Sequence, residues 1–223
     1  NSSLYKTDNG GGNWLEVLTL PQEFQVYSIY FDSSKGTVIG YKKNFNEGNF
    51  IFQSNNFGST WTEIQSPTDY NLNSICFRNK FDGFVVGNNG LILKTTDEGL
   101  NWIETYLGSD NLRSIFFSSE LNGWIGSTGG IYKTTDGGTN WNFATIYSGE
   151  FYSIFFNSDS VGFTCEGSNL LKSTNGGENW EVIDTNDVSY IFFVDNLNGW
   201  AVGQTGKILH TTNGGVTFVE EGN

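Results

Sequence analysis

The chain has 223 residues, with 24 acidic side chains against 11 Lys and Arg, a formal charge of −13 and a pI near 4.3. A surface of that sign repels phosphate backbones, which bind through clustered cations, so no nucleic-acid partner is expected and an anionic membrane is a poor one. No run approaches the roughly 18 apolar residues needed to cross a bilayer, so no membrane insertion is expected.

The 29 Gly, the 16 % aromatic content and only 2 Pro point to short strands joined by tight turns, an all-β composition. Residues 1–20 read as two strands flanking a turn, Thr7 to Trp14. Residues 25–65 open on Ser28-Ile29-Tyr30-Phe31 and carry a matching turn at Ser54 to Trp61. Residues 71–107 run through Ser74 to Phe77, Gly83-Phe84 and Leu91-Ile92-Leu93-Lys94 to a turn at Thr95 to Trp102. Residues 111–147 repeat the phrase with Ser114-Ile115-Phe116-Phe117, Gly123-Trp124 and Thr134 to Trp141. Residues 150–184 do so with Ser153 to Phe156, Gly162-Phe163, Ser173 to Trp180 and the strand Trp180-Glu181-Val182-Ile183. Residues 188–221 close the series with Tyr190 to Phe193, Gly199-Trp200, Lys207-Ile208-Leu209-His210 and Thr211 to Phe218. Each run is rich in β-branched and aromatic residues and bounded by Gly, Asn or Asp, as strands are.

The six turns share one template, [Ser/Thr]-x-[Asp/Asn]-x-Gly-x-[Thr/Asn]-[Trp/Phe]. Their closing aromatics, at 14, 61, 102, 141, 180 and 218, are separated by 47, 41, 39, 39 and 38 residues. A period of about 40 matches one four-stranded propeller blade. The expected fold is a single β-propeller domain over 1–223, with five complete blades and a partial blade at residues 1–20. A fragment of a seven-bladed propeller is the alternative. The chain begins Asn1-Ser2-Ser3 without an initiator Met, and a processed or excised segment is the expectation.

The template makes chemical sense as a self-capped hairpin. The side chains of Asn9, Asn56, Asp97, Asp136, Asn175 and Asn213 can accept backbone N–H groups of their own turn, and the Ser or Thr two positions earlier adds a hydroxyl. The Gly two positions later supplies φ > 0. Trp14, Trp61, Trp102, Trp141, Trp180 and Phe218 are expected to bury between neighbouring blades. Calcium asks for six to eight oxygens, several charged. Asp occupies the key position only at 97 and 136, so the turns read as caps and no metal is expected. The Gly-Gly pairs at 137–138, 176–177 and 214–215 lack a following Lys-Ser/Thr and are not phosphate loops. No cofactor is implied.

These turns resemble the Asp-box, or BNR, repeat. The phrase Leu197-Asn198-Gly199-Trp200-Ala201-Val202-Gly203, continuing through Lys207 to Gly215, is similar to propellers related to the photosystem II stability and assembly factor, which also occur in bacterial secreted proteins. That resemblance implies a β-propeller and, in photosynthetic members, a scaffold whose Arg-rich patch grips a membrane-protein partner. This sequence departs from the patch. It has two arginines, Arg78 and Arg113, and the slot before the first-strand Ser holds Tyr27, Asn73, Arg113, Tyr152 and Ser189.

Asp-box repeats also occur in sialidases, which need three arginines, and in xyloglucan-degrading glucanases, which need facing carboxylates on two propellers. Neither set is present, so the chain is read as not an enzyme. The single histidine, His210, reads as a solvated strand end, and Cys76 and Cys165 read as two buried thiols. Recognition remains. The segments leading into the first strands carry Phe24, Tyr27, Tyr70, Arg113, Phe151 and Tyr152, an aromatic set with one Arg of the kind interfaces favour. The loop Lys42 to Asn49 breaks the repeat and is a second candidate. The expected function is a protein-interaction or assembly-scaffold propeller of a bacterial extracytoplasmic protein (secreted, periplasmic or cell surface), its partner another protein or other domains of a larger parent. The alternative is a glycan-binding module of a secreted protein or glycoside hydrolase.

Overall fold

Short strands with hydrogen-bonded turns pair with their sequence neighbours first, because that closes the smallest loops. The computed structural model shows this throughout. It describes residues 2–43, 48–146, 149–185 and 187–221. The centre of the Lys42–Asn49 loop, residues 44–47, lies outside the described residues. The chain divides into two compact units, Asn1–Ser109 and Asp110–Asn223.

In the first unit, β1 (Ser2–Lys6) and β2 (Leu15–Leu20) form a two-stranded antiparallel sheet. A four-stranded blade follows in the order β3 (Phe24–Asp32), β4 (Lys35–Lys42), β5 (Asn49–Ser54) and β6 (Thr62–Ile64). The next blade is built from β7 (Leu72–Phe77), β8 (Gly83–Gly87), β9 (Leu91–Thr95) and β10 (Ile103–Tyr106). These two blades share a core of Ile39, Ile51, Leu72, Ile75, Val85, Leu91, Leu93 and Trp102. Leu4 and Leu18 of the small sheet pack on Val38 and Phe50.

The second unit holds three blades of the same antiparallel order. They are β11 (Leu112–Phe117), β12 (Gly123–Ser127), β13 (Gly130–Thr134) and β14 (Asn142–Ile146); β15 (Phe151–Phe156), β16 (Gly162–Glu166), β17 (Asn169–Ser173) and β18 (Glu181–Asp184); and β19 (Val188–Phe193), β20 (Gly199–Gly203), β21 (Ile208–Thr211) and β22 (Val219–Glu220). The described residues thus contain five four-stranded antiparallel blades of propeller type, as the repeat predicts. No helix among them is long and apolar enough to cross a membrane.

Two recurring residues explain how the blades assemble. The first-strand Ser ties a blade to the next: Ser28 Oγ accepts the Ile75 N–H at 3.4 Å, Ser114 Oγ donates to the Phe151 carbonyl at 3.0 Å, and Ser153 Oγ accepts the Ile191 N–H at 3.2 Å. The Gly that opens each second strand leaves room for the Phe that ends the first. A Cβ added at Gly36, Gly83, Gly123, Gly162 or Gly199 would lie 2.4–2.6 Å from the ring of Phe31, Phe77, Phe117, Phe156 or Phe193. The middle strands β8 and β12 are buried along their length, whereas β10 and β18 face solvent.

Candidate functional site

All six boxes share one hydrogen-bond pattern. In the third blade, Thr134 Oγ1 accepts the N–H groups of Asp136 at 3.3 Å and Gly138 at 2.9 Å and donates to Asp136 Oδ1 at 2.8 Å. Asp136 Oδ1 accepts the Asn140 N–H at 2.9 Å, and Oδ2 accepts from the Asn140 side-chain amide at 2.7 Å. Asn9, Asn56, Asp97, Asn175 and Asn213 accept the corresponding N–H at 2.9–3.0 Å. The Asn140 backbone N–H, then its side-chain amide, hold the Asp136 carboxyl down at about 2. The Asn101 side-chain amide, then its backbone N–H, lower Asp97. The box carboxylates are turn caps, with their oxygens directed at amides of their own loop.

Sequence reasoning placed φ > 0 only at the template Gly. The residue before it is left-handed too: Gly137, Gly176 and Gly214 have φ of 71°, 71° and 68°, and Phe57 and Glu98 are held there at 58° and 64°. The paired glycines were the signal. The N–H of this residue donates to a carbonyl of the first hairpin in the same blade, through Phe57–Ser34, Glu98–Phe81, Gly137–Leu121, Gly176–Ser160 and Gly214–Leu197. Each of these five boxes therefore clamps both hairpins of its blade at one end.

The closing aromatics were expected to bury between neighbouring blades, but only Trp102 is buried, and the tryptophans of the first four blades each meet a Phe of their own blade. Trp61, Trp102, Trp141 and Trp180 meet Phe31, Phe77, Phe117 and Phe156 edge-on at 5.7–6.1 Å, and Phe218 meets Phe163 at 6.4 Å. Trp14 is 61 % exposed, because the two-stranded sheet supplies no first-strand Phe to receive it.

In the second unit, two second-strand aromatics, Trp124 and Phe163, cross to the following blade. Trp124 is fully buried, stacks on Phe156 at 3.6 Å and 9°, and donates its Nε1–H to the Gly176 carbonyl at 3.0 Å. Phe163 stacks on Phe193 at 4.7 Å. Lys133 and Lys172 lie over these two rings, and Lys172 Nζ reaches the Gly215 carbonyl at 3.2 Å. His210, in the same slot, stacks on Trp200 at 4.5 Å and bonds Glu221 through Nδ1 at 2.9 Å. It is half-buried rather than a solvated strand end, since the flat indole covers one face. Cys76 and Cys165 are buried thiols, and burial pushes Cys165 up to about 12.

The proposed recognition residues fall into both units. In the first, Phe24 stacks on Phe50 at 5.0 Å beneath Lys42, so it is largely a packing residue. Tyr27 and Tyr70 are exposed, and Tyr70 meets Tyr106 edge-on at 6.2 Å. In the second unit, Arg113 Nη2 lies 3.4 Å from Glu150, and a hydrogen bond from Tyr152 to Glu150 is the first cause of a raised phenol pKa. Tyr152 is 39 % exposed and completes a small aromatic–ionic cluster. Phe151 corrects the sequence expectation. At 1 % exposure it belongs to the core with Trp124, Ile131, Ile154 and Phe156, because a register shift between Phe151 and Ser153 breaks the alternation of β15 and turns Phe151, rather than Tyr152, to the buried face.

The family model described as photosynthesis system II assembly factor YCF48 matches residues 6–142, more than half of the chain. The chain belongs to this family. Among solved structures, this YCF48-family chain is similar to one titled YCF48 bound to D1 peptide, at 20 % identity and a TM-score of 0.54, covering 92 % of this chain and 84 % of that one. YCF48 from Cyanidioschyzon merolae matches at 19 % identity and TM-score 0.68, covering 91 % and 73 %. The GH74 enzyme of Niastella koreensis matches at 19 % identity and TM-score 0.78, covering 97 % of this chain but 42 % of that one. At such identities these likenesses establish the fold alone. No curated protein sequence matches the chain significantly.

Proposed function

We propose that this chain is a non-enzymatic protein-interaction propeller that serves as an assembly scaffold within a bacterial extracytoplasmic protein. Membership in a family described by an assembly factor carries the reading, and a solved relative with a bound peptide supports a protein ligand. The exposed Tyr152 beside Arg113 and Glu150 supplies the aromatic and guanidinium chemistry that binding hot spots favour. A general acid needs a carboxyl pKa raised toward neutrality. The displaced carboxyls among the described residues, Glu16, Asp82, Asp97, Asp136 and Asp195, are all lowered.

A photo-crosslinker beside Tyr152 in the native host should capture a discrete protein, and Arg113→Ala with Tyr152→Ala should abolish the capture. Saturable signal on a glycan array without a captured protein would favour the sugar-binding alternative. Hydrolytic turnover lost on one carboxylate substitution would overturn both readings. Fractionation of host cells tests the extracytoplasmic assignment, which recovery from the cytoplasm would refute.

A further inference from the structure

The junction of the first and second blades lacks the second-strand ring that fills the third–fourth and fourth–fifth junctions. The residue after the Gly that opens the second strand is Phe84, Trp124, Phe163 or Trp200 in four blades, but Thr37 in the first. The register is the same in all five: Thr37 pairs with Gln53 as Phe84 pairs with Lys94, Trp124 with Lys133, Phe163 with Lys172 and Trp200 with His210. Gln53 keeps the polar half of the arrangement, since its Nε2 donates to the Glu98 carbonyl at 2.8 Å, much as Trp124 Nε1 donates to Gly176. The Gln53 amide takes only the edge of the ring's place, against Gly99 as Trp124 Nε1 lies against Gly177, and Tyr30 meets Phe77 at 5.1 Å and 31°, but no second-strand ring fills the rest. A cavity of about 350 Å³ opens there, its lining including Tyr30, Gly36, Thr37, Gln53, Phe77 and Glu98. Phe77 occupies the position that Phe156 holds under Trp124, so an aromatic platform stands without the second-strand ring that elsewhere stacks on it.

The mouth is built differently from the other junctions. Glu98 holds φ at +64° where four boxes have Gly, and Ser33, also lining the cavity, holds +52°. Left-handed non-glycine residues cost of order 1 kcal/mol or more and concentrate at functional sites. The strained Glu98 brings its carboxylate to the rim, where Lys35 and Lys80 both pair with it. The volume lies within the range of small-ligand sites and exceeds that of one phenyl or indole group.

We propose that this cavity takes a planar aromatic side chain of a protein partner, stacked against Phe77 in the place that Trp124 fills in the third blade. The choice of a protein partner rests on the scaffold reading above; the choice of an aromatic ring rests on the repeat geometry alone.

N-acetyl-tryptophanamide and N-acetyl-leucinamide, titrated into the whole chain and followed through the backbone amides of Thr37, Gln53 and Phe77, test it. The aromatic amide should saturate with a Kd of roughly 0.1–1 mM, and the leucine amide should bind at least ~10-fold more weakly. Thr37→Phe supplies the ring from within, as Phe84 and Phe163 do, and should abolish binding without lowering the melting temperature. Phe77→Leu removes the platform and should weaken binding about 10-fold even if Thr37→Phe packs poorly. Absent saturation, or undiminished binding by both folded variants, overturns the proposal. A crosslinked partner retained equally by wild type and Thr37→Phe would also overturn it while leaving the scaffold reading intact. Ring binding by a chain that captures no protein would count against the scaffold reading and not against the cavity.

Discussion

Two junctions of the same design carry their load in different ways. Between the third and fourth blades, the buried Trp124 spans the gap, stacks on Phe156 and bonds the next box through Gly176. Between the first and second blades, Thr37 stops short, Gln53 makes the polar contact alone, and a cavity bounded by Lys35, Lys80 and Glu98 takes the place of the ring. Both junctions keep the Ser bridge and the Phe–Trp edge contact. The difference teaches that both junctions keep the backbone clamp but only one keeps the crossing ring, so a junction can surrender its ring and open a site.

The sharpest way to break this comparison is to remove the ring where it exists. Trp124→Ala should cost about 3–5 kcal/mol in urea unfolding, as large core truncations do. Thr37→Ala should cost about 1 kcal/mol or less, and equal losses would mean that the ring carries no junction energy. A medium effect separates the first hairpins. Gly123→Ala drives a Cβ to 2.6 Å from Phe117, which is nearly buried, and overpacking of this kind costs about 1–3 kcal/mol. Gly36→Ala meets Phe31, which is 43 % exposed and can swing outward, so the loss should be smaller. Thermal melts of the two variants decide it.

Trp14→Ala should stay within about 0.5 kcal/mol, as surface substitutions do, against several for Trp102 in its buried box. The smallest effect appears only in acid. Asp136 is lowered from the ordinary 3.8 to about 2, so its contribution is complete above 3.8 and disappears as pH falls through about 2. Asp136→Asn should be nearly silent at pH 7 and should flatten the acid limb of stability between those limits. The first blade already carries Asn56 in this role, so Asn56→Asp should add such a limb. Melting temperatures measured from pH 5 to pH 2 test both.

Much of this was readable from residue order. Ser114-Ile115-Phe116-Phe117 followed by Gly123-Trp124 announces two strands, and the box announces the turn, because alternation, glycine and Asx chemistry act within a few residues of chain. The amides that Asp136 engages are four residues away or fewer, so its capping role was equally visible. The recognition set was less legible. Phe151 and Tyr152 are adjacent aromatics of similar size, and only the register of β15 sends one into the core and leaves the other exposed.

By itself, the sequence determined the repeat, the blade strands and the self-capped boxes, since each depends on contacts within a single 40-residue period. Tertiary structure alone decided what the first-strand Ser and the second-strand aromatic are for, because their partners lie in the next blade, 37 to 52 residues on. It also decided what the absence of one ring means. Thr37 looks like an ordinary strand residue in the sequence. Only when the neighbouring blade brings Phe77 and the strained Glu98 to the same place does that missing ring become a space that another ring can occupy.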